Sequence, residues 1–529
     1  MKKITLENNF YFLSIFILAL FFSLSYSFDT NGLIGGTVQS GILKFPDGPS
    51  SSYVVHTNSW SIIVQIISFL VRINISAVAI SQIIIFFSTL VFLIAIFLTC
   101  KFLTNSSILG LLVSFIVILL KKNFGHLDYP TIIFSEHTGG LMSQALSTLV
   151  FGLFINNNFK LGFFFSAILL CVHPIIGLWL NFIIFSTILL KFKIDEIIIF
   201  FKENLTSVLL GLLVVLFSFF IFYRNSVPIN YSYDDETFRT YMSVWDAHRT
   251  AYGQHDNIIN FKYIYKSLGL VLLILIFLKL QINNDKFQFG IRLVLLHCLL
   301  SLCVYFAYKY FYHYFPDIVI RVMPTRFLLL HSVIGWPIIF SIIYIIFKSF
   351  FIEKKLNLKY LHYFFITIII VNILQHNSNI SERYNALKIN FSKPQLSKNQ
   401  FWHKVRDIDS DGYYLTSTDV CVKTIAISQK PLLMCPESID YIPYFPSIAT
   451  PLKKIIEEVF AIPFDDPKIK NFGGIHPKEV RLSYETKTKL QWKEAAQNFN
   501  LVGLIVPNDW KIDLVVYLSG EKYNLYIIK

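Results

Sequence analysis

Hydrophobic residues in this chain form long uninterrupted runs, of which residues 83–98 are an example. With their flanks, such runs approach the roughly 20 residues with which a helix crosses the hydrocarbon core of a bilayer. By that criterion the pattern predicts about eleven membrane-spanning helices. The predicted spans lie near residues 11–26, 77–98, 107–120, 141–155, 161–190 (two helices), 207–222, 263–278, 293–308, 327–347 and 360–374.

Two local patterns refine this layout. Proline disfavours helical geometry in the residue before it, so the stretch 161–190 is predicted to form two short helices that meet at His173-Pro174. Residues 60–73 are apolar but amphipathic, with Gln65 and Arg72 among them. This pattern predicts a helix that lies in the membrane interface.

From residue 375 onward the pattern changes, because no later run is long enough to span. Short β-like stretches occur at 412–416, 431–434, 502–506, 514–518 and 524–528, and helical patterns at 451–460 and 487–499. Their alternation predicts a small α/β domain of roughly 150 residues. The expected fold class is therefore a polytopic α-helical membrane bundle (residues 1–375) with a C-terminal soluble α/β domain (residues 376–529).

Composition and charge agree with a membrane protein. Only 15% of residues are charged, against roughly 25% in a soluble domain. The net charge of +13 comes from Lys and Arg in alternate links between spans, which is the positive-inside pattern and not a nucleic-acid-binding face. Lys121 and Lys122 depart from the pattern. The lipid bilayer is thus the expected partner, and nucleic acid is not.

The same rule gives an orientation. It places the N-terminus in the cytoplasm, and an odd number of spans then places the C-terminal domain outside. A composition rich in Ile, Phe, Lys and Asn indicates an AT-rich genome and hence the inner (plasma) membrane of a bacterium.

Of the six cysteines, Cys421 and Cys435 lie in the tail. An outside location permits a disulfide between them, but spacing alone does not establish its geometry, so both states stay open.

Side chains capable of chemistry concentrate in the links predicted to lie outside. Candidate catalytic residues are Asp29, His126, Asp128, His137 and His173, and candidate substrate-binding residues are Asp246, His248, Arg249, Arg321, Arg326 and His331. Simpler interpretations compete with these roles. Asp29 also fits a helix cap, His173 a plain helix break, and the consecutive acids at 234–236 a solvated turn.

Arg321, Arg326 and His331 flank an apolar span, where a charge usually faces a cavity or a partner. If the helix begins at Pro324, Arg326 lies in its first turn and can bind a phosphate at the membrane surface. The metal is unknown. His126, Asp128 and His137 can converge on a divalent cation, although no metal motif links them.

The layout resembles the GT-C class of membrane glycosyltransferases. The resemblance rests on Asp29 directly after the first span, the interface helix at 60–73, the helices that meet at His173-Pro174, and the extramembrane α/β domain. It implies an outward-facing site, a polyprenyl-phosphate-linked sugar as donor and an envelope acceptor. The run 321–326 is similar to uncharacterised bacterial membrane proteins related to that class. Many GT-C enzymes carry two close acidic residues in the first loop, whereas only Asp47 is near Asp29 here.

Three other classes of function stay open. An acyltransferase would be built around a histidine, with His137 and His173 as candidates. A membrane transporter or flippase commonly has inverted repeats and polar residues at the membrane midplane, and neither is clear in this sequence. A non-catalytic envelope scaffold would use the tail to bind partners.

Overall fold

The structure is a computed structural model. It describes residues 6–26, 30–46, 51–120, 139–246, 261–280, 288–311, 314–316, 318–319, 322, 326–327, 330, 333–392, 400–437, 439, 444–469 and 473–528. The helices before the tail are α1 (Leu6–Leu24), α2 (Thr30–Gln39), α3 (Ser51–Thr57), α4 (Ile62–Arg72), α5 (Ala77–Thr104), α6 (Ser107–Leu119), α7 (Gly139–Ile155), α8 (Phe159–Val172), α9 (Pro174–Lys191), α10 (Ile194–Asn225), α11 (Asp235–Val244), α12 (Phe261–Leu280), α13 (Gln288–Phe311), α14 (Gly335–Glu353), α15 (Lys359–Gln375) and α16 (Asn377–Ser392).

Five helical segments within the described residues are long and apolar enough to cross a membrane: α5, α9, α10, α14 and Phe289–Ala307 within α13. Shorter apolar helices of 10–17 residues accompany them. On α10 the apolar surface faces outward, with Leu216 62% and Phe217 64% exposed, as expected for a helix that contacts lipid. The chain is an integral membrane protein. The total of eleven spans stays a prediction.

The predicted helix pair at His173-Pro174 is confirmed. Helix α8 ends at Val172, and α9 begins at Pro174, which occupies the first helical position. Proline suits that position because its missing N–H is one of those a helix leaves without an internal acceptor. The helix predicted at 60–73 is also present, as α4.

The predicted span 327–347 begins later than expected, and Pro324, where the sequence allowed a helix to begin, lies outside the described residues. The long helix α14 begins at Gly335, while Arg326 and Phe327 form only a short 3-10 segment. Pro337 gives the physical reason. Its nitrogen carries no hydrogen for an internal helical bond, so the regular helix starts where Pro337 falls in the first turn.

The tail contains a four-stranded sheet and several helices. Strand β1 (Tyr413–Thr416) is parallel to β2 (Leu501–Pro507), and β4 (Tyr523–Ile527) runs antiparallel between β2 and β3 (Val516–Ser519). The helices are α17 (Gln400–Arg406), α18 (Cys421–Ala426), α19 (Ala449–Glu458), α20 (Pro477–Thr486) and α21 (Lys489–Phe499). The predicted strand at 431–434 contributes only a bridge between Leu432 and Tyr414, and the sequence pattern did not predict α20.

The tail packs on helices α2, α3 and α11 of the preceding part of the chain. Tyr241 on α11 is buried and donates a hydrogen bond to the Ile439 carbonyl oxygen at 2.7 Å. The Trp245 ring nitrogen donates to the Phe464 carbonyl oxygen at 2.9 Å. In return, the Gly473 N–H donates to the Trp245 carbonyl oxygen at 3.0 Å. The tail and α11 therefore share one core.

A disulfide joins Cys421 to Cys435, whose Cα atoms lie 5.8 Å apart. Cys421 begins helix α18, which packs against α2. The bond therefore braces the segment of the tail that contacts α2. The sequence alone left this bond undecided.

Candidate functional site

One end of the bundle collects polar contacts between segments that are far apart in the sequence. We call it the His173 end, because His173 lies there between α8 and α9. The other end of α9 is the Lys191 end. Helix α9 has 18 residues, so at 1.5 Å per residue the two ends are roughly 27 Å apart.

Helix α4 organises the His173 end. The Ser61 hydroxyl donates to the Val172 carbonyl oxygen at 3.1 Å and so ties the start of α4 to the α8–α9 junction. Gln65 and Ser218 exchange hydrogen bonds: the Gln65 amide donates to the Ser218 carbonyl at 2.8 Å, and the Ser218 hydroxyl donates to Gln65 Oε1 at 2.9 Å. Gln65 is buried, so it joins α4 to α10 inside the protein and does not face the membrane surface.

Helix α2 packs closely on α4. A Cβ at Gly36 would overlap the Ile67 side chain, and only glycine permits this approach. The Arg72 guanidinium donates to the carbonyl oxygens of Ser40 and Gln39, both at 3.0 Å. These bonds satisfy carbonyl groups at the C-terminal end of α2. The helix that follows Asp29 in the sequence is therefore fixed against α4.

His56 on α3 lies beside this helix pair. Its carbonyl oxygen accepts a hydrogen bond from the Gln39 amide at 3.1 Å. Burial lowers the pKa of the His56 ring to about 4, because burial disfavours the charged imidazolium. His56 is therefore neutral at physiological pH and is a structural part of this assembly.

His173 caps helix α9. Its Nδ1 accepts a hydrogen bond from the Ile176 backbone N–H at 3.4 Å. In the neutral ring this bond assigns the proton to Nε2, so the opposite side of the ring presents a donor. His173 thus has the structural role that the simpler interpretation gave it.

The segment that contains Arg326 lies close to the beginning of α9. The Trp179 ring nitrogen donates to the Val322 carbonyl oxygen at 3.0 Å, and the Trp179 and Phe327 rings pack edge to face with centroids 5.6 Å apart. Trp179 follows His173 by six positions in the sequence, which is about 9 Å along the helix. The Arg326 side chain is only 5% exposed. The structure therefore places a buried arginine and His173 at the same end of α9.

Asp246 lies elsewhere, where α11 packs against the tail. It is fully buried, and its backbone N–H donates to the Tyr241 carbonyl oxygen at 3.1 Å. Its neighbour Trp245 makes the contacts with the tail described above. The run 234–236 is solvent-exposed, as interpreted from the sequence, but it begins α11 and does not form a turn. The Asp234 carboxylate caps the helix by accepting from the Thr237 N–H at 3.2 Å.

The other predicted site residues lie outside the described part of the chain. They are Asp29, His126, Asp128, His137, His248, Arg249, Arg321 and His331. Within the described residues, one group of three potential metal ligands is present, Cys421, Cys435 and Glu437. Its two sulfur atoms form the disulfide, so the group does not supply thiolates to a metal.

Sequence reasoning missed one buried polar residue near Arg326. His297 on α13 is fully buried, its ring centroid lies 4.8 Å from that of Phe327, and the Ser301 hydroxyl is 3.4 Å from its Nε2. The available signal was a histidine within an apolar run, which in a membrane helix indicates an inward-facing position.

The described residues at the His173 end suit the binding of a phosphate ester. Arg326 carries a permanent charge and a planar set of five donors that matches phosphate oxygens. Nearby on α9, Leu178 and Phe182 are 47% and 49% exposed and present apolar surface to lipid. A ligand with a phosphate head and a long apolar chain would match both the guanidinium and this apolar surface.

The sequence matches no protein-family model and no curated protein. Among solved structures, the chain is similar to the crystal structure of the Archaeoglobus fulgidus oligosaccharyltransferase in the apo form. The TM-score is 0.44 at 8% sequence identity, over 95% of this chain and 70% of that chain. A likeness of this size carries no information about substrate or reaction, which depend on the residues described above.

Proposed function

We propose that this chain is a membrane glycosyltransferase that moves a sugar from a polyprenyl-phosphate donor to an acceptor of the bacterial envelope, on the outer face of the plasma membrane. The observation that carries the proposal is the buried Arg326 at the His173 end of a lipid-exposed bundle. Charged residues within membrane-embedded regions commonly mark functional sites, and a guanidinium matches a phosphate in both charge and geometry.

In the proposed reaction, a hydroxyl oxygen of the acceptor attacks the anomeric carbon of the donor sugar. The bond between that carbon and the phosphate oxygen breaks, and the polyprenyl phosphate leaves with the bonding electrons. Asp29 takes the hydroxyl proton as general base. Arg326 holds the phosphate and stabilises the charge that develops on it, while His173 donates a hydrogen bond from Nε2 to the leaving group.

The remaining predicted residues keep their proposed roles around this reaction. His126, Asp128 and His137 form the candidate cation site, and His248, Arg249, Arg321 and His331 the candidate substrate-binding groups. The tail is proposed to be a lid or acceptor-recognition domain. Its disulfide supports the outer location, since disulfides persist mainly in oxidising compartments.

The proposal is tested in cells that carry Asp29→Asn or Arg326→Ala in place of the native protein. We expect both variants to lose the glycan that the protein adds, measured by mass spectrometry of the envelope. Arg224→Ala is the matched control, because Arg224 lies exposed at the last turn of α10. Immunoblots verify equal amounts in the membrane. A full glycan profile in both site variants, at native protein levels, would show that the proposal is wrong.

A further inference from the structure

Helix α16 (Asn377–Ser392) lies in the sequence between the membrane bundle and the first helix of the tail, α17. The predicted soluble domain begins at residue 376 and therefore includes α16. Two aromatic side chains of this helix are nevertheless open to the surroundings, since Tyr384 is 58% and Phe391 72% exposed. Seven positions separate them, which is close to two helical turns, so both rings lie on one side of α16.

The surface that leads into α16 faces lipid. Helix α15 is one of the shorter apolar helices of the bundle, and it ends at Gln375, two positions before α16 begins. Near that end, Ile370 and Leu374 are 50% and 71% exposed, as expected for side chains that contact lipid. The exposed apolar surface of α15 therefore ends where α16 begins.

Ile380 and Arg383 fix α16 against the end of the bundle. Ile380 packs on the hydrophobic core that α1, α5 and α6 share. The Arg383 guanidinium carbon lies 3.6 Å from the centroid of the Tyr26 ring, two positions beyond the end of α1. The Tyr26 carbonyl oxygen accepts a hydrogen bond from the Gln82 amide at 3.3 Å, and Gln82 lies about 8 Å from the beginning of α5. Arg383 is therefore close to the level at which α1 ends and α5 begins.

The exposed rings lie on the side of α16 that touches the bundle. Tyr384 follows Ile380 by four positions and Phe391 follows it by eleven, which is close to one and to three helical turns. Ile380 is partly buried by the bundle, whereas the two rings farther along the helix are exposed. On that side the helix therefore extends beyond the edge of the bundle. Glu382 is also exposed, and it lies nearly opposite Phe391, about two and a half turns away.

We propose that α16 lies in the membrane interface, with Tyr384 and Phe391 inserted between phospholipid headgroups and Glu382 in water. Continuity selects phospholipid as the occupant of the exposed side, because that side begins at the lipid-facing end of α15 and continues past the edge of the bundle at the same level. Tyrosine is moreover enriched at this depth in membrane proteins. The soluble domain then begins with α17, and α16 sets its height above the bilayer. This inference does not depend on the proposed glycosyl transfer.

The test places a fluorescent label on α16 of the full-length protein in vesicles of phosphatidylethanolamine and phosphatidylglycerol. Phe391→Cys, Tyr384→Cys and Glu382→Cys are each made in the Cys303→Ser protein, whose other free thiols are buried, and each carries a nitrobenzoxadiazole group. An interfacial helix inserts its apolar side roughly 5–10 Å into the boundary between headgroups and acyl chains. Labels at Phe391 and Tyr384 should therefore lose most of their fluorescence to phospholipid spin-labelled near the top of its acyl chain, and little to aqueous iodide.

Glu382→Cys is the matched control, because it carries the same label on the opposite side of the same helix. Its label should be quenched by iodide and little by the spin-labelled lipid. Thermal unfolding verifies that the labelled proteins are folded. Equal quenching by iodide at all three positions would overturn the proposal, because α16 would then stand in water. Protection of Phe391 and Tyr384 from both quenchers would also overturn it, because protein and not lipid would then cover the rings.

Discussion

The contact between the tail and α11 can be tested by removing one oxygen atom. In Tyr241→Phe the ring stays and the hydroxyl group is lost, so no cavity of side-chain size forms. That hydroxyl donates to the Ile439 carbonyl oxygen at 2.7 Å, and both residues are fully buried. The Ile439 N–H in turn donates to the Gly473 carbonyl oxygen at 2.7 Å. Loss of the hydroxyl therefore disturbs the backbone at Ile439 and Gly473. Gly473 is the residue whose N–H donates to the Trp245 carbonyl oxygen.

Leaving a buried acceptor without its donor costs about 1–3 kcal/mol. The ratio of undocked to docked tail should rise by the corresponding factor of about 5 to 150. Tyr233→Phe is the matched control. The Tyr233 hydroxyl also donates at 2.8 Å, to Asp235, but Tyr233 is 44% exposed. Water replaces its lost partner, so the change should stay within about 0.5 kcal/mol.

Hydrogen exchange of the purified protein, analysed by mass spectrometry, measures this equilibrium. Peptides that cover Gly473 to Ile475 and helix α11 should exchange faster in Tyr241→Phe, since the Gly473 N–H is bonded to the Trp245 carbonyl. Peptides from α5, in the membrane bundle, should not change. Equal exchange in Tyr241→Phe, Tyr233→Phe and the native protein would refute the view that this hydroxyl holds the tail in place.

Three further predictions concern stability, each measured by thermal unfolding in detergent. The pKa of His56 is about 4 in the folded protein and about 6.5 when unfolded, so only the unfolded chain gains the proton between these values. Stability should be complete above about pH 6.5 and fall by up to about 3 kcal/mol towards pH 4, and His56→Gln should flatten this slope. Cys421→Ser with Cys435→Ser opens a loop of sequence separation 14 and should lower tail stability by about 2–4 kcal/mol, whereas Cys303→Ser, at an exposed free thiol, should have no effect. Gly36→Ala forces a Cβ into Ile67 and should cost about 1–3 kcal/mol, whereas Gly269→Ala, in helix α12 with no atom within 4 Å of the new Cβ, should not destabilise.

Local patterns predicted the elements well where one physical rule dominates. Apolar runs predicted the helices of the bundle, and the proline after His173 predicted the α8–α9 junction. The alternating tail pattern predicted strands β1 and β2. The sequence pattern did not predict the late start of α14. The apolar run continues upstream of Pro337, and hydropathy does not report where a helix begins.

The arrangement of the candidate site depends on contacts that no local pattern contains. The Asn58 amide donates to the Val227 carbonyl oxygen at 2.9 Å across a sequence separation of 169. Gln65 was expected on a membrane-surface helix because amphipathicity does not distinguish lipid from protein on the apolar side. Its partner Ser218 lies 153 positions away. The sequence therefore did not predict which of these side chains meet.

The most direct test of the account is whether Arg326 holds a lipid-linked phosphate. Purified native protein and Arg326→Gln are titrated with a polyprenyl phosphate, and binding is measured by native mass spectrometry. Losing hydrogen bonds from a charged group should weaken binding by at least about tenfold. Arg224→Gln should bind like the native protein. Equal affinity in Arg326→Gln and the native protein would contradict the proposed site.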